Sequence, residues 1–107
     1  MWLFTPQGFI SAVENRDNPE TIMIRAQDPD HLRAMFPSET ITETTGSDYP
    51  ARIFMDRYKF AAWLTVQAVD IDYDNFKGAI PHDATIYHDA CFGVWEQMQT
   101  LDPRRQG

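Results

Sequence analysis

The segment Thr21-Ile22-Met23-Ile24-Arg25-Ala26 sets Ile22, Ile24 and Ala26 at alternate positions, with Met23 and Arg25 between them. A period of two is the pattern of a strand with one face on a core and the other turned away. Two strands are predicted before it. Trp2 to Thr5 is a short apolar run, and Thr5-Pro6-Gln7-Gly8 reads as a turn with Pro second and Gly fourth. Phe9 to Glu14 returns antiparallel, and Asn15-Arg16-Asp17-Asn18-Pro19 is a second turn, rich in side chains that bond their own backbone. The first third of the chain is therefore a three-stranded meander.

Helix signals follow at once. Asp28-Pro29-Asp30 supplies an N-cap acid, a proline at the first helical position and a second acid at the positive end of the dipole. Leu32, Met35 and Phe36 form the inward stripe, and Pro37 stops the helix. Thr40 to Thr44 and Tyr49 to Met55, on either side of Gly46-Ser47-Asp48, predict a hairpin. Asp56 caps a second helix to about Asp70, with Phe60, Trp63, Leu64, Gln67, Ala68 and Ile71 at helical spacing. After a loop from Asp72 to Pro81, a last helix runs from about Asp83, its cap, to Leu101. Its apolar face is Tyr87, Ala90, Cys91, Val94, Trp95 and Met98, and Asp102-Pro103 ends it.

The order βββ-α-ββ-α-α predicts an α+β fold: an antiparallel sheet of four to five strands with helices packed on one face. At 107 residues, a single domain over 1–107 is expected, with 102–107 as a frayed tail. The expected core is Phe4, Ile10, Ile22, Ile24, Leu32, Phe36, Ile53, Phe60, Trp63, Leu64, Val94 and Met98.

Composition narrows the function classes. Sixteen acidic residues against nine basic give a net charge of −7, which disfavours direct nucleic-acid binding because that needs a Lys/Arg footprint. No apolar run approaches the roughly 20 residues that cross a bilayer, and the start carries no positive n-region, so a cytoplasmic protein without membrane contact is expected. The lone Cys91 excludes an intramolecular disulfide and a Cys-based zinc site, and its spacing with Val94 and Met98 makes it a small buried hydrophobe.

The most informative stretch is Asp70-Ile71-Asp72-Tyr73-Asp74-Asn75-Phe76-Lys77-Gly78. Acids at alternate positions between two helices echo a calcium loop. Asn75 stands where that loop needs glycine, and Pro81 stands where it needs a bidentate glutamate, so no calcium site is expected. Asp70 and Asp72 also oppose the negative end of the preceding helix, an effect that Lys77 would offset. Tyr73 and Phe76 add aromatic area to a polar loop, either as pins onto the core or as a binding surface.

His82-Asp83 and His88-Asp89 repeat six residues apart, a spacing that puts the histidines on opposite sides of one helix, so a shared metal is not expected. His88 with Asp72 or Asp74 is a candidate acid–base pairing if the last helix packs against the acidic loop, and His31 is expected to be an exposed first-turn residue. No phosphate-binding glycine loop and no nucleophile motif is present.

Gly8-Phe9-Ile10-Ser11-Ala12-Val13, Asp48-Tyr49-Pro50-Ala51-Arg52, Ile71-Asp72-Tyr73-Asp74-Asn75-Phe76-Lys77 and Tyr87-His88 followed by Val94-Trp95 together resemble an uncharacterised family of small bacterial proteins. The resemblance spans most of the chain and implies a bacterial, cytoplasmic setting. It carries no activity, cofactor or substrate.

The reading that follows is a small acidic, non-catalytic protein that binds another macromolecule, most simply a protein with a basic surface. An inhibitor or nucleic-acid mimic is its extreme form. The candidate binding residues are Asp70, Asp72, Tyr73, Asp74, Asn75, Lys77, Tyr87 and His88; no catalytic residue, cofactor or metal is expected, and homo-oligomerisation stays open. The rival is a small-ligand or enzymatic site at the 70–78 loop and His88.

Overall fold

The computed structural model describes residues 1–106. Five strands, β1 (Trp2–Thr5), β2 (Gly8–Glu14), β3 (Thr21–Ala26), β4 (Thr42–Glu43) and β5 (Ala51–Asp56), form one antiparallel sheet in the order β1-β2-β3-β5-β4. Three helices accompany them: α1 (Pro29–Met35), α2 (Arg57–Val69) and α3 (Thr85–Met98). The fold is α+β. None of these helices is long and apolar enough to cross a membrane.

The chain divides into two compact units, the first from Met1 to Asp72 and the second from Tyr73 onward. In the first unit, the alternation in β2, β3 and β5 sorts the sheet into two faces. Ile10, Ala12, Ile22, Ile24, Ala26, Ala51, Ile53 and Met55 form one face, and together with Leu32, Met35, Phe36 and Phe60 they make a single core. α1 and α2 cover that face. α1 starts where Asp28 accepts from the Asp30 N–H with Pro29 in the first turn, and α2 starts where Asp56 accepts from the Tyr58 and Lys59 N–H groups.

The opposite face carries Trp2, Phe4, Phe9, Ser11, Val13, Met23, Arg25, Arg52 and Phe54. Phe4 therefore stacks on Phe9, ring centroids 4.6 Å apart, and does not enter the core. Parity of position decides this: Phe4 pairs with Phe9, whereas the core-facing Leu3 pairs with Ile10.

Three local expectations differ from the structure. The predicted hairpin strand Thr40–Thr44 shrinks to the two residues of β4, and Tyr49 lies buried before β5 instead of within it. His31 is not an exposed first-turn residue. Its imidazole packs on Gly8, and its Nδ1 accepts from the Phe9 N–H at 3.2 Å. The distal half of α2 is barely covered, with Ala68 and Ile71 exposed and Trp63, Leu64 and Gln67 half-buried, so helical spacing there did not translate into burial.

In the second unit, a 3₁₀ turn at Lys77–Ala79 precedes α3, and 3₁₀ turns at Gln99–Leu101 and Pro103–Arg105 follow it. α3 begins at Ala84 without a side-chain cap, so Asp83 does not hold the capping role the sequence suggests. Asp102 caps the last turn through the Arg104 N–H and pairs with its guanidinium, which holds the Asp102 carboxyl below the usual range.

Candidate functional site

Asp70 closes α2, its N–H donating to the Val66 carbonyl at 2.9 Å. Asp70, Asp72, Asp74 and Asn75 are all exposed, and none of the three acids forms an ion pair among the described residues. No cluster of three metal-ligating side chains occurs among the described residues.

The second unit gathers the remaining candidates. Tyr73 and Phe76 are half-buried with ring centroids 6.1 Å apart. Lys77 is not bonded to any acid. Its Nζ lies 3.9 Å from the centroid of the Trp95 ring and 4.8 Å from that of Phe92, and these two rings are 5.5 Å apart. The quadrupole of each ring attracts the ammonium, an interaction of about 0.5–2 kcal/mol depending on hydration. Lys77 is thus engaged with α3.

α3 shows little of the buried stripe that its sequence suggests. Cys91 is buried, and Tyr87 and Val94 are half-buried, but Ala90, Trp95 and Met98 are exposed. Met98 therefore leaves the core set, and Val94 belongs to it only in part. Phe92 and Ile86, the latter 87% exposed, lie outside the expected stripe and were missed as surface features. The readable signal was Phe92 itself, an aromatic off the apolar face of the helix. Burial pushes the Cys91 thiol above its usual range, partly offset by a hydrogen bond with Tyr87 one helical turn earlier.

His88 meets Asp89, with Nδ1 3.5 Å from Oδ1, and within the second unit it forms no pair with Asp74. His88 lines a half-open cleft of about 280 Å³ with Lys77, Gly78, Ile80, Pro81, His82, Thr85 and Asp89. Both histidines border this one cleft although six residues separate them, because His82 precedes the helix. The cleft falls just below the roughly 300–1,000 Å³ usual for small-molecule sites.

No family model matches this chain, and no curated protein or solved structure matches it significantly.

Proposed function

We propose that this protein acts without catalysis, by binding a partner protein through the exposed apolar face of α3 and its flanking carboxylates. The observation that carries this reading is the exposure of α3. Trp95 and Met98, on the face that also carries Cys91, are each 50% exposed and Phe92 beside them 41%, while Cys91 is its one buried side chain. A helix of 14 residues draws most of its stability from burying an apolar stripe, and a stripe left in water is an interface in waiting. Aromatic side chains in such a patch supply anchor area, and the acids of the same helix, Asp89 and Glu96, favour a partner with basic groups. The wider acidity of the chain acts in the same direction.

The test is affinity purification from the native host with the wild-type chain and a Phe92→Ser/Trp95→Ser variant side by side. A protein retained by the wild type and lost by a variant of unchanged circular dichroism supports the reading. Equal capture by both overturns it.

A second reading, a small-ligand site, draws on the cleft with His82, His88, Asp89 and Lys77 converging on it. It requires a ligand whose affinity falls on His88→Ala, and its size argues for a small one.

A further inference from the structure

Arg25 and Arg52 stand directly opposite each other on β3 and β5, on the sheet face that α1 and α2 do not cover. Like charges in that position repel, and a fold normally avoids them or places a carboxylate between them. Among the described residues no carboxylate pairs with either guanidinium, as none does with Arg16, whereas Arg33, Arg57 and Lys59 of the same unit each hold one. Such a bare pair is conspicuous in a chain of net charge −7, in which acids outnumber bases sixteen to nine.

Neutral groups hold the two side chains instead. Arg25 donates through Nη2 to Ser11 Oγ at 3.0 Å and lies over the Tyr49 ring, 4.4 Å from its centroid. Arg52 donates through Nη2 to Ser47 Oγ at 3.0 Å and to the Tyr49 carbonyl at 3.4 Å, with Met23 Sδ 3.8 Å from Nη1. Asp48 reaches this cluster only through the Ser47 hydroxyl and the Tyr49 N–H. The Nε–H groups of both arginines are buried with no hydrogen-bond partner, a costly condition for a charged donor.

The surroundings define that anion. One row across the sheet reads Trp2, Ser11, Arg25, Arg52, Thr42, and the next reads Val13, Met23, Phe54. Two positive charges are thus bordered by apolar side chains, of which Phe54 is 48% exposed. Two adjacent guanidinium charges match the double negative charge of a phosphate dianion. The overall negative field repels long polyanions, so the fit is to a small molecule. Ser11 lies in the stretch Gly8–Val13, and Tyr49 and Arg52 in the stretch Asp48–Arg52, so two segments distant in the chain and singled out in its sequence converge here.

We infer that Arg25 and Arg52 form a binding site for the phosphoryl group of a small phosphate monoester, whose organic body lies on the Val13–Met23–Phe54 row. This site is independent of the α3 surface. The test is calorimetric titration of the full chain with inorganic phosphate and with phenyl phosphate, at constant ionic strength in chloride. Both should bind, phenyl phosphate the more tightly because its ring meets Phe54. Arg25→Gln and Arg52→Gln should each weaken binding at least about tenfold, Arg52→Lys should do so while keeping the charge, and Arg33→Gln should leave it unchanged. In chloride alone, Arg52→Gln should hold or raise the melting temperature, because it relieves repulsion. No binding of either probe, or binding indifferent to Arg25 and Arg52, overturns the site. Equal affinity for the two probes overturns the monoester assignment, and a clear fall in the melting temperature of Arg52→Gln makes the pair structural.

Discussion

The His31 imidazole occupies the space beside Gly8 so closely that a Cβ on residue 8 would lie 2.3 Å from His31 Cγ. Gly8 also has φ of +154°, a conformation that side chains rarely adopt, and it opens β2 opposite Thr5. The contact ties the first hairpin to α1, and the Phe9 N–H to His31 Nδ1 hydrogen bond completes it.

Gly8→Ala should therefore cost about 2–5 kcal/mol, combining backbone strain with overpacking. His31→Ala in the same chain should recover part of that loss by removing the clash, a coupling that a double-mutant cycle in urea would measure. Strict additivity of the two changes would show that the clash is not the source.

Burial separates the apolar residues into two energetic classes. Leu32 is fully buried, and Leu32→Ala should cost about 2–5 kcal/mol. Met98 is half exposed on α3, and Met98→Ala should change stability by about 0.5 kcal/mol or less in the isolated protein. Melting curves of the two variants check both, and a large loss at Met98 would mean that α3 is held more tightly than its exposure indicates.

Cys91 should be a poor nucleophile. It is buried, and that burial raises its thiol pKa, so less thiolate is present at neutral pH than in an ordinary cysteine. Reaction with a disulfide reagent should be much slower than that of a free thiol at pH 7 and should speed up sharply on adding denaturant. Rapid labelling of the native protein would contradict this.

Asp72→Asn/Asp74→Asn should leave the melting temperature unchanged or slightly higher. Both side chains are exposed and neither holds a cation, so neutralising them removes repulsion and breaks no ion pair. Under the proposed function, the same change weakens partner binding, and the loss shrinks at high salt. A lower melting temperature would make these acids structural.

Much of the first unit is legible from its sequence because its signals are local. The alternation of Ile22, Ile24 and Ala26, the Asp28-Pro29 start and the Asp56 cap each act within a few residues, where steric and hydrogen-bonding preferences decide the outcome. The extent of burial is not local. Spacing shows that Trp95 and Met98 share a face of α3, but only the tertiary arrangement decides whether anything covers that face, and it leaves both exposed. The loop acids were equally visible, yet the engagement of Lys77 with Trp95 and Phe92 could not be read, because spatial placement brings together residues 15 to 18 positions apart. The facing of Arg25 and Arg52 is of the same kind. Each residue is an unremarkable polar position in its own strand, and strand register, set by pairing across the sheet, confronts two like charges.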